Sequence, residues 1–488
     1  MEKTSYFIGL DLGTSSLKGI LTDRTGAVLR EQSVSYDVLY PHEGWTEQDP
    51  AVWIAAAETV LAALSEGVRE SVRGLSVGGQ MHGLVVLDEH DAVIRPCILW
   101  NDGRTGEETE YLNTVIGKNK LSVLTGNIAF AGFTAPKLLW MRAHEPENFD
   151  RIKKIMLPKD YLAYRLTGVF STDYSDASGM LLLDVAHKCW SHEMCRICGI
   201  SETMLPRLYE SWEVTGRVLP QYGLPDCVVT AGAGDNAAAA VGTGCVTNGA
   251  CNISLGTSGT IFICQDKFSV DEKNALHSFA HANGRFHLMG CILTAASARK
   301  WWLEDILGTS DYAADERGIA DADTEGLYFL PYLSGERSPH NDVDARGAFI
   351  GLSASTTRAR MSRAVMEGVT FALRDCLEVA RAGTAHAGGV KPTAATLCGG
   401  GAKSRVWRQI VADVLNLPVN ILQTEQGPSL GGALLAMVGA GEYPSVEAAA
   451  AACVRVSETI MPNPAAAAKY EDKYRTFAKL YPALKAVR

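Results

Sequence analysis

The sequence lacks the features that would assign it to a membrane or to a nucleic acid. No stretch approaches the ~18 uninterrupted apolar residues of a membrane span, and the N-terminus carries an acid and only a short apolar run. No run of five or more like charges occurs, and 45 basic against 55 acidic residues give a net charge of −10. We therefore expect no nucleic-acid or membrane partner, and a soluble protein of the cytoplasm.

A matched pair of Cys-x-x-Cys motifs is also missing. The twelve cysteines are scattered, many in apolar contexts such as IFICQ and MGCILTA, which is typical of small buried side chains in a reducing compartment. The segment HKCWSHEMCRIC, residues 187–198, carries residue types that bind metals. With one Cys-x-x-Cys alone, an exposed helix with incidental thiols is the favoured interpretation, and whether the segment binds a ligand stays open.

The length of 488 residues predicts two domains of ordinary size. No Pro/Gly/Ser-rich linker separates them, and we place the boundary near residue 246, giving domains 1–246 and 247–488. Strands that alternate with helices predict an α/β fold with a mostly parallel or mixed sheet covered by helices. At the C-terminus, Asn463, Pro464 and a stripe of aromatic residues predict a helix that packs back on the body.

One turn is written twice, as DLGTSS at residues 11–16 and as SLGTSG at residues 254–259, each between two β-rich runs. A tight turn of glycine and hydroxyl residues exposes backbone N–H groups that can hold phosphate oxygens. Two such hairpins facing each other across a cleft would hold a polyphosphate from both halves. A hairpin tip without a ligand is the alternative, weaker for two matched copies than for one. The predicted phosphate-binding residues are Gly13, Thr14, Ser15, Gly256, Thr257 and Ser258.

An acid precedes only the first copy of the turn. Asp11 offers a carboxylate beside the phosphates, and Mg²⁺ typically takes one or two carboxylates and keeps several waters. Ser254 occupies the matching position of the second copy, so the sequence predicts a metal position at the first turn alone. Lys18, just past the first turn, adds a positive charge that can reach a phosphate, and a solvated strand lysine is the alternative.

The stretch GAGDNAAAAVG places Asp235 after a glycine-flanked turn and before a helix-forming run. An ordinary helix cap is one interpretation of this aspartate. The other is a ligand-facing acid, because the glycines allow close approach and Asn236 adds hydrogen-bonding groups. A helix N-terminus favours the charged carboxylate, so we expect a weak base with an ordinary or lowered pKa. Phosphoryl transfer tolerates a weak base, because its loose transition state depends mainly on positioning.

Four further stretches have the character of ligand-binding loops. GGQMHG, residues 78–83, presents Met81 and His82 at the carboxyl edge of a strand, where open α/β sheets bind ligands, although a lone histidine is more often structural. ILWNDGR and LPYLSGERSPH are polar turns with aromatic neighbours. AATLCGGGAKS reads as a strand, a glycine-rich turn and a helix start, an order typical of nucleotide sites.

Together these stretches resemble the FGGY family of carbohydrate kinases. The matching segments run from the first ten residues to beyond residue 430 and include GLDLGTSSLK, WTEQDP, GGQMHG, ILWNDGR, GFTAPKLLW, AGDNAAAAVG, SLGTSGT and LPYLSGERSPHN. The resemblance implies two actin-like (ribonuclease-H-like) domains, each a mixed sheet flanked by helices, around a central cleft. GGQMHG and ILWNDGR are most similar to family members that act on xylulose.

The resemblance also implies roles for individual residues. Asp235 would be the general base, with Met81, His82 and Asn236 lining the sugar site beside it. Asp11 would act through the metal, with Asp235 as a second metal-associated acid. The glycine loop, Gly399, Gly400 and Gly401, would bind adenosine.

The implied reaction transfers the γ-phosphoryl group of ATP, with Mg²⁺, to the 5-hydroxyl of D-xylulose. A kinase for another ketose or polyol (ribulose, L-xylulose or glycerol) is an alternative. A second alternative is a catalytically silent actin-like sensor of sugar or nucleotide. A homodimer is an expectation from the resemblance alone.

Overall fold

The computed structural model describes residues 5–271, 273–383 and 389–487. Its strands are β1 (Tyr6–Leu12), β2 (Ser16–Asp23), β3 (Val28–Ser35), β4 (Glu47–Gln48), β5 (Val72–Gly79), β6 (Val85–Leu87), β7 (Cys97–Ile98), β8 (Lys154–Met156), β9 (Ser171–Asp173), β10 (Leu183–Asp184), β11 (Cys189–Trp190), β12 (Arg207–Tyr209), β13 (Val214–Arg217), β14 (Val228–Thr230), β15 (Ala233–Gly234), β16 (Cys251–Leu255), β17 (Gly259–Gln265), β18 (His277–Ala280), β19 (Phe286–Ile292), β20 (Tyr328–Leu330), β21 (Ala348–Ile350), β22 (Ala395–Cys398), β23 (Val419–Leu422) and β24 (Val456–Ile460). Its α-helices are α1 (Pro50–Ser65), α2 (Gly106–Tyr111), α3 (Lys118–Thr125), α4 (Thr134–His144), α5 (Pro146–Asp150), α6 (Pro158–Thr167), α7 (Tyr174–Ala177), α8 (His192–Cys198), α9 (Asp235–Gly242), α10 (Ala296–Lys300), α11 (Tyr312–Ile319), α12 (Arg358–Ala382), α13 (Arg405–Leu415), α14 (Gly427–Gly439), α15 (Val446–Cys453) and α16 (Pro464–Lys485). In this described part of the chain, every helix is too short or too polar to cross a membrane.

Two seven-stranded mixed sheets organise these elements. The first has the order β13-β14-β5-β1-β2-β3, with β15 also paired to β5, and the second has the order β18-β19-β17-β16-β22-β23-β24. In each sheet a strand (β1 or β16) pairs antiparallel with the next strand in the chain and parallel with a later one (β5 or β22). The predicted α/β class is therefore confirmed, and the two halves share a strand arrangement.

The repeated turn lies at the same place in both sheets. It joins β1 to β2 in the first sheet and β16 to β17 in the second. In the first sheet, the parallel neighbour β5 ends beside the turn and leads into GGQMHG. In the second sheet, the parallel neighbour β22 ends beside the turn and leads into the glycine loop that starts at Gly399. In each sheet, the hairpin and the loop therefore lie together at the carboxyl ends of the central strands, where α/β sheets bind ligands.

Local sequence explains where helices α1 and α16 begin. Asp49 caps α1 by accepting a hydrogen bond from the backbone of Ala51, and Pro50 occupies the first helical position. Asn463 caps α16 in the same way. On α16, Tyr470 and Phe477 are buried in the core of the C-terminal half, so the predicted packing of the terminal helix is confirmed.

Helix α14 lies between β23 and β24 of the second sheet in the chain but packs on the first sheet. Its Leu430 and Leu434 share an apolar cluster with Phe7 of β1. A Cβ at Gly431 would lie 1.8 Å from the carbonyl oxygen of Ala238 in α9, so glycine is what permits this approach. The domain boundary at residue 246 stays a prediction. Helix α14, which lies beyond this boundary in the chain, covers part of the first sheet.

The segment at residues 187–198 has a different character from the one we expected. Helix α8 buries Cys195 and Cys198 in an apolar cluster, while Cys189 is exposed. Since these two thiols are core residues, the expectation of an exposed helix with incidental thiols is wrong for them. His187 pairs with Asp184, and in the described residues no group of three or more metal-ligating side chains comes together.

Candidate active site

The first hairpin, Gly13–Ser15, is held from behind through its carbonyl groups. The Tyr36 hydroxyl donates to the Gly13 carbonyl at 2.6 Å, and the Gln48 amide donates to the Thr14 carbonyl at 3.1 Å. The backbone N–H of Tyr36 donates to the Ser15 carbonyl at 3.0 Å. No described residue accepts a hydrogen bond from the backbone N–H of Thr14 or Ser15. The tip therefore presents N–H groups, the arrangement that binds phosphate oxygens.

The second hairpin, Gly256–Ser258, is held in the same manner. The backbone N–H of Ala296 donates to the Gly256 carbonyl at 2.8 Å, and that of Ala295 donates to the Thr257 carbonyl at 2.9 Å. The Ser297 hydroxyl reinforces the Thr257 carbonyl at 2.6 Å. Both copies of the turn thus direct their carbonyl groups into the protein, although they use different partners.

The glycine loop packs on the base of the second hairpin. Gly399 has a φ of +88°, and a Cβ there would lie 2.7 Å from the carbonyl carbon of Leu255. A Cβ at Gly401 would lie 2.8 Å from the Leu255 side chain, whereas Gly400 faces open space. Because positions 399 and 401 are glycine, the loop and the hairpin can pack closely and form one continuous wall.

A cleft of about 390 Å³ opens between this wall and the start of α9. It brings together predicted site residues from both halves: Asp235, Asn236, Gly256, Ser258 and Gly399. Thr257, Gly400 and Gly401 flank it, while Asp11, the first hairpin and Lys18 lie outside its lining. The remaining lining residues are Ala239, Thr243, Asn252, Ser254, Thr260, Phe262, Leu397, Cys398, Ala402, Arg408, Ile421, Leu422, Thr424, Glu425, Gly427 and Pro428.

Asp235 is the first residue of α9, next to the predicted cap position. Its Oδ1 accepts hydrogen bonds from the backbone N–H of Asn236 at 2.7 Å and from the Asn236 amide at 3.0 Å. Burial nevertheless raises the pKa of Asp235 to about 6 and outweighs the backbone hydrogen bond. The expected ordinary or lowered pKa is therefore wrong, because loss of hydration costs more than the helix N-terminus returns. A carboxylate with this pKa is charged at neutral pH and takes up a proton readily.

Asp11, at the end of β1, is electrostatically linked to Asp235. Burial and the charge of Asp235 raise the pKa of Asp11 to about 7, and Lys18 opposes the shift. No described donor forms a hydrogen bond with the Asp11 carboxylate. Two neighbouring carboxylates, one of them without donors, suit a divalent cation, so this chain has the donor set for Mg²⁺.

Lys18 lies opposite Asp11 in the antiparallel register of β1 and β2. Its ammonium pairs with Glu31 at 2.9 Å. This ion pair is partly exposed and competes with any phosphate for the same charge. A phosphate contact by Lys18 stays a prediction.

His82 follows the end of β5 in a left-handed conformation with a φ of +71°. Its Nδ1 lies 2.7 Å from the Gly179 carbonyl, and its ring stacks on Phe133 at 4.6 Å. Burial lowers the pKa of His82 to about 3, so the ring is neutral. Because a carbonyl only accepts, Nδ1 carries the proton and Nε2 is left as an acceptor for a ligand hydroxyl.

Met81 connects His82 to the acid at the start of α9. The Met81 side chain is buried, and its Sδ lies 4.0 Å from the Asn236 amide nitrogen. Asp235, Asn236, Met81 and His82 therefore form a continuous surface. The predicted sugar-binding residues are brought together, and two of them, Asp235 and Asn236, also line the cleft bounded by the glycine loop.

Sequence reasoning flagged WTEQDP, GGQMHG and ILWNDGR without singling out the residues that connect them. The Trp100 indole donates to the Thr14 hydroxyl at 3.0 Å, and that hydroxyl donates to Gln80 at 3.2 Å. Gln48 holds the Thr14 carbonyl. The sugar-side loops thus position the first hairpin. The signal available in the sequence was the presence of Gln48, Gln80 and Trp100 within these three motifs.

Comparison with known proteins gives concordant results for the whole chain. The N-terminal domain of the FGGY family of carbohydrate kinases matches residues 6–242, and its C-terminal domain matches residues 251–440. A xylulose kinase from Escherichia coli (strain K12) is 42% identical over 484 residues, covering 97% of this chain and 98% of the relative. The crystal structure of a xyloylose kinase from Brucella ovis is 38% identical, with a TM-score of 0.93 and coverage of 99% and 100%. A gluconate kinase structure from Lactobacillus acidophilus has the same TM-score at 26% identity, covering 99% of this chain and 98% of that one.

Proposed function

The chain belongs to the FGGY family of carbohydrate kinases, and from this premise we propose that it transfers the γ-phosphoryl group of ATP to the 5-hydroxyl of D-xylulose. One observation carries the proposal: Asp235 and Asn236 both line the cleft bounded by Gly399, and the Asn236 amide also contacts Met81, the residue before His82. A sugar hydroxyl and a terminal phosphate can therefore meet at one carboxylate.

In this proposal each group has a distinct task. Asp235 orients the 5-hydroxyl and accepts its proton as the bond to phosphorus forms. His82 Nε2 accepts a hydrogen bond from another hydroxyl and so fixes the sugar. The backbone N–H groups of the two hairpins hold the phosphate oxygens, and the glycine loop holds adenosine.

Mg²⁺ belongs to the proposal as well. Asp11, with Asp235 beside it, would hold the ion, which supplies positive charge to the phosphate oxygens. Lys18 balances the charge of Asp11 from the next strand. A homodimer and a cytoplasmic location stay predictions.

The acid limb of the pH profile follows from the raised pKa values. Asp235 must be ionised to accept a proton, so kcat/KM is expected to fall as the pH drops from 7 to 5. Because Asp11 and Asp235 interact, the apparent pKa of this limb belongs to the pair and lies near 6 to 7. Initial rates at saturating MgATP across this range measure it. A flat profile between pH 5 and 7 would remove Asp235 as the base.

The position of phosphorylation tests which end of the sugar meets Asp235. With [5-¹³C]-D-xylulose and ATP, the product C5 signal is expected to shift and split through coupling to ³¹P in a ¹³C spectrum. The [1-¹³C] sugar is the matched control, whose C1 signal stays uncoupled. Coupling at C1 instead would contradict the 5-hydroxyl as acceptor and leave the kinase assignment in place.

A further inference from the structure

Arg337 belongs to the C-terminal half, but its side chain packs on an aromatic wall formed by Phe130 and Phe133 beside the predicted sugar-binding residues. Its guanidinium carbon lies 4.6 Å from the ring centre of Phe130 and 6.0 Å from that of Phe133. Phe133 is the ring on which His82 stacks. Arg337 is therefore a neighbour of the sugar-binding surface, contributed by the opposite half of the chain.

The backbone around Arg337 is anchored at the end of β19. The N–H groups of Arg337 and Leu293 both donate to Oε1 of Glu336, at 2.8 and 2.9 Å. The N–H of Ser338 donates to the Cys291 carbonyl at 3.0 Å. These bonds fix the start of the Arg337 side chain, so its direction into the aromatic wall is set by the fold.

Among residues 5–271, 273–383 and 389–487, no carboxylate lies within ion-pair distance of the Arg337 guanidinium. Glu336, its sequence neighbour, is turned toward backbone N–H groups instead. The guanidinium is half-buried over phenylalanine rings beside the Cys291 thiol. A cation in this setting has strong donors available for a neutral oxygen acceptor.

The orientation of the bound sugar determines which of its oxygens accepts a hydrogen bond from Arg337. The proposed function puts the 5-hydroxyl at Asp235, and the chain of the sugar then runs past Met81 toward His82. Its far end, with the 1-hydroxyl and the C2 carbonyl, reaches the region of Phe133 and Arg337. A carbonyl oxygen only accepts hydrogen bonds and a guanidinium only donates them, so the two are complementary.

We propose that Arg337 is a specificity-determining residue that donates hydrogen bonds to the C2 carbonyl oxygen of the ketose. The inference rests on the proposed function and adds to it the selection of a ketose over the corresponding polyol. A hydroxyl at C2 would have to find an acceptor for its own proton, which the guanidinium does not offer. Discrimination arises because the proton of the C2 hydroxyl is left without an acceptor when the polyol binds.

The test compares D-xylulose with xylitol, which has the same carbon chain and a hydroxyl at C2. In Arg337→Met, kcat/KM for D-xylulose is expected to fall about 10- to 100-fold, the range for a hydrogen bond to a charged group. The competitive inhibition constant of xylitol is expected to change by less than about threefold, on the scale of a lost neutral contact. Arg337→Lys keeps the charge without the fork and should give an intermediate loss. Arg346→Met is the control, because Arg346 is exposed and bonds only carbonyls of its own turn, those of Val343 and Ala345.

The outcomes separate the two proposals. If D-xylulose and xylitol weaken by the same factor, or neither changes, Arg337 does not select the carbonyl. If wild-type protein does not turn over D-xylulose at all, the proposed function fails first. Should Arg337→Met unfold at the assay temperature, the ratio is read from Arg337→Lys, where an unchanged ratio overturns the inference.

Discussion

Replacing Asp235 with asparagine is expected to lower kcat for sugar phosphorylation by about 10²- to 10⁴-fold, the usual contribution of a general base. Asparagine keeps an oxygen that can accept the hydrogen bonds now made by Asn236, so the start of α9 should stay in place. It removes the charge that takes up the hydroxyl proton. Alanine at the same position should give a loss at least as large.

The accompanying measurement is nucleotide binding. Calorimetric titration with MgATP is expected to give dissociation constants within a few-fold of wild type, because the hairpins and the glycine loop hold the nucleotide. Asp305→Asn is the matched control, since Asp305 is exposed and lies outside the cleft lining. Near-normal turnover in Asp235→Asn would exclude Asp235 from the chemistry, whereas joint loss of turnover and binding would indicate a structural role.

Replacing Asp11 with asparagine should raise the Mg²⁺ concentration for half-maximal activity by about 10- to 100-fold, the scale found when a metal site loses part of its support. The amide cannot supply the negative charge that a hard divalent cation prefers. The variant also removes the titration of Asp11, whose pKa of about 7 is the higher of the two, so the acid limb of the pH profile should move down toward the Asp235 pKa of about 6. Titrations of Mg²⁺ at fixed ATP, and rates between pH 5 and 7, measure the two effects.

Asp37→Asn provides the matched control for Asp11, because Asp37 is exposed and contributes a backbone carbonyl to the Gln48 contact. Its Mg²⁺ dependence should equal that of wild type. An unchanged Mg²⁺ requirement in Asp11→Asn would place the ion elsewhere. It would then remain to explain why only the first copy of the turn carries an acid.

Local sequence predicted the elements whose causes are local. The repeated Gly-Thr-Ser turn marks the same hairpin in both sheets, and Asn463 with Pro464 marks the start of α16. Caps, hairpins and apolar periodicity act within a few residues, so a single sequence is enough to find them.

Features that depend on packing between distant parts of the chain could not be predicted from local sequence patterns. The apolar residues of α14 carry no information on which of the two sheets the helix packs against. In the sequence, Arg337 is one charged residue in a polar loop, and only the folded structure brings it into contact with Phe130. The pKa of Asp235 was misjudged for the same reason, since its burial is created by elements far away in the chain.

The most direct test of the central claim is ADP release by the purified protein with MgATP and a panel of sugars at equal concentration. The panel contains D-xylulose, L-xylulose, D-ribulose, L-ribulose, glycerol and gluconate. D-xylulose is expected to give the dominant rate. A different dominant sugar would contradict the substrate and place the error around Met81 and His82, while no turnover with any sugar would contradict the kinase itself and favour a silent sensor.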